Sequence, residues 1–168
     1  MPVDVWLRGP VDGIPALLQP AAHAFLLARE DVDAATSGLT PDQLWAQPGG
    51  AASIGFHLAH LAGATSRLMT YATAEPLSDA QKAQLQWERT ITETRPGLES
   101  LVSEWHGALD AAMHQIARTP EASLTEVRTV GKAQLPTSVI GAIFHAAEHA
   151  ARHAGQVVTT AKILRGQS

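Results

Sequence analysis

Apolar residues recur every three or four positions along most of the chain, which is the period of an α-helix with one buried face. This pattern predicts four long helices, over residues 14–36, 53–74, 96–117 and 137–164. Ser53 is placed to cap the second of these helices. Pro20 requires a kink or a fresh start within the first, because proline cannot donate a helical hydrogen bond.

Two capping boxes predict shorter helices between the long ones. Thr40 opens one helix and Ser78 opens the other, each followed three residues later by a glutamine. The first of these helices should end before Pro48. Residues 125–135 are rich in β-branched side chains and predict a connecting loop with at most a short extended element. The whole, residues 1–168, is therefore expected to be a single all-α domain, an antiparallel four-helix bundle with short extra helices.

Composition narrows the class of partner. A chain of 168 residues that is 45% hydrophobic can bury a core without disulfides. Its net charge is −4 and its twelve Lys and Arg residues are scattered, so a nucleic-acid footprint is missing. No apolar run approaches the roughly 18–20 residues that span a bilayer. The beginning of the chain lacks a signal-peptide pattern, and there is no cysteine. We expect a cytoplasmic protein that acts on a small molecule, with no nucleic acid and no membrane as partner.

The candidate chemistry lies in the eight histidines. At 100° per residue, the last helix places His145, His149 and His153 on one face, together with Arg152 and Gln156. Histidines four residues apart can converge on one metal ion. His145 and His153 lie roughly 12 Å apart along the helix axis, which is too far for one ion to bind both. The spacing therefore leaves two pairs open, 145/149 and 149/153.

A second pair, His57 and His60, lies on the second long helix and could supply a third ligand. Three neutral imidazoles leave coordination positions open, which is typical of a reactive site and suits zinc, nickel or iron. Such helical pairs are also common as solvent-facing or hydrogen-bonded histidines without metal. His145, Glu148 and His149 match the inverted zinc-protease pattern as well. We set that pattern aside because no helix with a further glutamate ligand follows.

The order and spacing of these histidines resemble the DinB/YfiT-like family of small damage-inducible metal-binding bundles. The resemblance rests on GFHLAHLAG at 55–63 and on HAARHAGQ at 149–156, near the end of the chain. It implies a four-helix bundle, often a homodimer, with one divalent metal between the helices. On this resemblance the ligands are His60, His149 and His153. Of the two histidine pairs, the resemblance selects 149/153, because Gly155 and Gln156 follow it as they do in the family.

The resemblance leaves four polar residues as support for the ligands or as pocket residues: His57, His145, Arg152 and Gln156. Family members often carry acidic residues just after the first ligand, whereas residues 63–66 here carry none. The partner of His60 is therefore unassigned. Arg67 and Arg152 could hold a substrate carboxylate or form surface ion pairs, and we expect surface ion pairs.

The resemblance also implies an activity, because characterised relatives include transferases that depend on low-molecular-weight thiols. A Lewis-acidic metal lowers the pKa of a bound thiol. Since this chain has no cysteine, the thiol would be a cosubstrate of an S-transferase. The alternatives are a metal-dependent hydrolase and a non-catalytic, metal-stabilised binding module. The alanine-rich helix 139–151, together with the resemblance, predicts a homodimer.

Overall fold

The computed structural model describes residues 3–166, and most of them are helical. The α-helices within this part of the chain are α1 (Gln19–Thr36), α2 (Pro41–Trp45), α3 (Ile54–Ala72), α4 (Asp79–Trp87), α5 (Ile91–Thr94), α6 (Leu98–Ala117) and α7 (Val139–Gly166). The four long helices match the four that the hydrophobic pattern predicts, and α5 is an addition. None of the helices in residues 3–166 combines the length and the apolar character that crossing a membrane requires.

One small hairpin interrupts the helical fold. Strand β1 (Val127–Val130) pairs antiparallel with β2 (Leu135–Ser138). Gly131 follows β1 directly with φ +70°, a conformation that glycine adopts without strain. The β-branched run that predicted a loop therefore forms a short two-stranded element. The all-α expectation holds broadly, with this exception.

The capping signals in the sequence act as expected. Thr40 and Ser78 each accept a hydrogen bond from the backbone N–H three residues on, and both capping boxes are complete. The Ser53 hydroxyl accepts from the N–H of Phe56 and begins α3. Pro20 lies in the first turn of α1, after a short 3-10 turn, where its missing N–H costs no helical bond. The Ser53 cap fixes where α3 starts, and hence the position of His57 and His60 along the helix axis.

The four long helices enclose one apolar core. Helix α7 packs against α1 and α3, and α6 packs against the same two helices. The fully buried large side chains include Phe25, Leu58, Leu61, Trp105 and Ile143. The alanines of α7 at the packed face are buried as well, namely Ala142, Ala146, Ala147, Ala150 and Ala154. Small side chains on α7 let the neighbouring backbones come close.

Polar contacts indicate the relative directions of the helices. Arg29 pairs with Asp110 and Asp33 with His106, so residue numbers rise along α1 as they fall along α6. Those two helices are antiparallel. Arg165, near the end of α7, donates to backbone carbonyls at and just after the end of α1. Because this brings the C-terminal ends of α1 and α7 together, an antiparallel arrangement of all four long helices is not confirmed.

Candidate metal centre

Three histidines from two helices meet at the α3–α7 contact. His60 lies on α3, and His149 and His153 lie one turn apart on α7. Their ring centroids are 4.5 to 5.1 Å apart. One nitrogen of each ring lies within 4.8 Å of the other two, and all three residues are half-buried. Within residues 3–166, no other three His, Asp or Glu side chains come together in this way.

His60 contacts a buried ion pair that spacing did not reveal. Its Nδ1 lies 2.8 Å from Oε2 of Glu88, the residue that directly follows α4. Arg67 donates to the same carboxylate at 2.6 and 3.1 Å. Arg67 is only 7% exposed and Glu88 4% exposed. The expectation that Arg67 forms a surface pair was therefore wrong, because α4 covers it and delivers a carboxylate to it.

His57 contacts another member of the cluster. Its Nδ1 lies 2.9 Å from Nδ1 of His153, and its side chain is buried. One of these two nitrogens must donate and the other accept, since two unprotonated nitrogens would repel each other. His57 thus lies beside a candidate ligand, and its supporting role stays a prediction.

The remaining polar residues of α7 lie outside the cluster. His145 is exposed, with its Nδ1 3.4 Å from Glu148, and its ring centroid is 5.8 Å from that of His149. Arg152 pairs with Glu148 on the surface, as expected. The three histidines that meet belong to the 149/153 register, and His145 is not among them.

A cavity of about 730 Å³ adjoins the cluster on the side of His57. Arg152 and the exposed Gln156 also line it, with Thr159 further along α7. Part of the wall consists of small and apolar side chains, namely those of Pro48, Ala51, Ala52 and Ile163. Three of the four residues that were expected to support ligands or form a pocket therefore share this one space.

Burial keeps the imidazoles of His57, His149 and His153 neutral. Burial, together with the smaller effect of the neighbouring histidines, lowers the pKa of His149 to about 4 and that of His153 to about 3. Burial and His60 likewise lower the pKa of His57 to about 4. Burial alone would raise the pKa of Glu88, but hydrogen bonds from His60 and Arg67 outweigh it and the pKa is lowered overall. At neutral pH the rings of His57, His149 and His153 are therefore neutral, and the Glu88 carboxylate is ionised.

This donor set fits a divalent metal ion. A metal ligand must be an unprotonated nitrogen, and neutral imidazoles provide one each. In His60 the contact of Nδ1 with Glu88 leaves Nε2 as the available ligand atom. In His153 Nε2 is the ligand atom when Nδ1 donates its hydrogen to His57. Three such nitrogens suit zinc, nickel or iron.

These pKa shifts predict an acid-labile fold in the metal-free protein. In the unfolded chain histidine titrates near its ordinary 6.5, whereas His57, His149 and His153 titrate near 3–4 when folded. Below pH 6.5 the unfolded state therefore binds more protons, and the stability present above pH 6.5 is lost as the pH falls toward 4. The urea midpoint measured with a chelator should fall between pH 7 and pH 5, and fall less in His153→Leu. Equal midpoints at the two pH values would contradict these shifts.

Comparison with known proteins agrees with the histidine pattern. A family model described as the DinB superfamily matches residues 24–157. The matched range covers most of the chain and contains His60, His149 and His153. A search of curated proteins finds no match. The family resemblance that the order and spacing of the histidines indicated is confirmed.

Proposed function

The chain belongs to the DinB superfamily, and on that premise we propose that it is a metal-dependent enzyme whose single divalent ion is held by His60, His149 and His153. The observation that carries the proposal is the approach of three ligand nitrogens to within 4.8 Å of one another. Zinc, nickel or iron is the proposed ion. The fold proposed around it is a four-helix bundle, supported by the packing of α7 and α6 on both α1 and α3.

Ligand number favours a reactive over a structural site. Structural zinc sites have four protein ligands, whereas catalytic sites keep a position for water or substrate. Among the described residues, no fourth His, Asp or Glu joins the group of three. When bound, a divalent ion would supply Lewis acidity that lowers the pKa of a coordinated thiol or water.

The cavity beside His57 is the proposed binding site for the small-molecule substrate. It offers the guanidinium of Arg152, the amide of Gln156 and the hydroxyl of Thr159 beside apolar side chains. Its volume of about 730 Å³ is in the range of small-molecule sites. Because His57 lines this cavity and also contacts His153, a molecule bound there would lie next to the candidate ligands.

We take a low-molecular-weight thiol as the cosubstrate, which would make the protein an S-transferase. This follows the family resemblance, and the chain itself has no cysteine to supply the sulfur. Adding cysteine or glutathione to the cobalt-substituted protein should produce near-ultraviolet sulfur-to-cobalt charge transfer. The same thiols should react with monochlorobimane faster when the protein is present. His153→Ala should abolish both effects, while His145→Ala, on the same face of α7 but outside the cluster, should retain them.

The alternatives predict different outcomes of this experiment. Hydrolysis of esters or amides, without a spectral response to thiols, would move the assignment to a metal-dependent hydrolase. A protein that binds the ion but is silent in both assays would be a non-catalytic, metal-stabilised binding module.

We also propose a homodimer, but the surface that supports it differs from the alanine-rich face on which the sequence prediction was based. The alanines that suggested a helix contact are buried inside the protein's own core, as Ala146 and Ala150 show. Phe144, within the same segment 139–151, is 58% exposed and offers an apolar side chain to a partner copy. Light scattering at micromolar concentration should give about twice the monomer mass, and Phe144→Ser should lower it. A wild-type mass near 17.8 kDa would contradict the dimer.

A further inference from the structure

Glu88 is a carboxylate buried beside the candidate metal centre, yet it belongs to no ligand set. It lies at the end of α4, 28 residues along the chain from His60, and only 4% of it is exposed. Burying an ionised carboxylate is unfavourable unless hydrogen bonds and opposite charge compensate for the lost water. Within residues 3–166, the side chains that compensate are His60 and Arg67, both on α3.

From this arrangement we infer that Glu88 is the positioning residue of the metal centre, which fixes the tautomer and the ring orientation of His60. The inference rests on the proposed function. An ionised carboxylate can only accept hydrogen bonds, so the hydrogen in the 2.8 Å contact belongs to Nδ1 of His60. A neutral ring with its proton on Nδ1 has its free lone pair on Nε2, the atom that would bind the ion. Carboxylate–histidine–metal arrangements of this kind orient ligands and raise their basicity.

Arg67 holds the carboxylate in the required position. Its guanidinium contacts both oxygens of Glu88, at 2.6 Å to Oε1 and 3.1 Å to Oε2. Oε2 is also the oxygen that meets His60. The two-point contact restrains rotation of the carboxylate, which would otherwise be free to turn away from the imidazole.

Gly63 provides the space in which this contact forms. A Cβ atom at that position would overlap Oε1 of Glu88 and lie 2.7 Å from Nη1 of Arg67. Gly63 lies on α3 between His60 and Arg67, so any side chain there would push the carboxylate away from both. This contact explains both why no acidic residue is needed at 63–66 and why position 63 is a glycine. The carboxylate that supports His60 comes from α4 across the space that Gly63 leaves.

The competing interpretation is that Glu88 and Arg67 form an ion pair that only stabilises the fold. The Glu88→Gln substitution distinguishes this role from the positioning of His60. The matched control is Glu148→Gln, because Glu148 also meets an arginine and a histidine but lies outside the cluster. Zn²⁺ affinity is measured by chelator competition. Glu88→Gln should weaken it about 10- to 100-fold, the usual effect of losing an outer-shell partner. Glu148→Gln should bind Zn²⁺ as the wild type does. Equal Zn²⁺ affinity in Glu88→Gln and wild type would contradict the positioning role and would support an ion pair that only stabilises the fold.

The tautomer of His60 is a second readout that needs no metal. Long-range ¹H–¹⁵N spectra of the metal-free wild type should show His60 protonated at Nδ1, and Glu88→Gln should shift it toward a mixture of tautomers. If the wild type binds no Zn²⁺, the proposed function fails while this spectrum still decides the role of Glu88. An unchanged tautomer in Glu88→Gln would overturn the inference.

A variant that keeps every polar group guards against a folding defect in Glu88→Gln. Gly63→Ala should displace the carboxylate, weaken Zn²⁺ binding by a similar factor and shift the same tautomer, with circular dichroism confirming the helical content. A Gly63→Ala protein with wild-type Zn²⁺ affinity and the wild-type His60 tautomer would contradict the inference.

Discussion

Replacing His149 or His153 by alanine is expected to lower metal affinity by more than about 100-fold, beyond the effect of losing an outer-shell partner. Each substitution removes one of only three protein nitrogens and leaves two that cannot enclose the ion. His60→Ala should weaken binding severely for the same reason. Competition with a chromophoric chelator would give the three dissociation constants.

His145→Ala is the matched control, because it removes an imidazole from the same face of α7. Its side chain is exposed and pairs with Glu148, so the stoichiometry and affinity for metal should stay those of the wild type. If His145→Ala removed the metal while His153→Ala did not, the ligand set would be wrong.

The second large effect concerns stability. Arg67→Met should destabilise the metal-free protein by about 3–5 kcal/mol, because it leaves the charge of Glu88 buried without its cation. Urea unfolding at pH 7 with a chelator present measures this without a contribution from bound metal. Adding Glu88→Gln to Arg67→Met should restore part of the loss, since the unpaired charge disappears.

Arg152→Met gives the comparison for an exposed pair. Arg152 contacts Glu148 on the surface of α7, where water screens both charges. Its unfolding midpoint should not differ measurably from that of the wild type. A small effect for Arg67→Met, equal to that of Arg152→Met, would show that the pair with Glu88 is not buried in solution.

Local signals explain why much of the fold could be predicted from the sequence. A capping box acts over three residues, so Thr40 and Ser78 could be assigned without knowing the tertiary structure. The same holds for His149 and His153, because helical geometry alone brings residues four apart onto one face. The choice between the two histidine registers needed the family resemblance, since spacing leaves them equal.

The residues that were missed depend on contacts between distant parts of the chain. Nothing near Glu88 in the sequence indicates that its carboxylate reaches His60, because the end of α4 has to fold against α3 first. Arg67 was assigned to the surface for the same reason. The position of Gly63 is the one available signal, and it acquires meaning only when the carboxylate beside it is known. The relative directions of the helices also depend on contacts between distant residues. The contact of Arg165 with the end of α1 is an example.

The central claim is that His60, His149 and His153 together hold one divalent ion. X-ray absorption spectroscopy of tag-free protein loaded with one equivalent of Zn²⁺ tests it most directly, because imidazole rings give a characteristic outer-shell scattering. The account predicts three imidazole nitrogens at about 2.0–2.1 Å and a further ligand from solvent. A protein that retains no Zn²⁺, or one whose ion has fewer than three imidazoles, would contradict it.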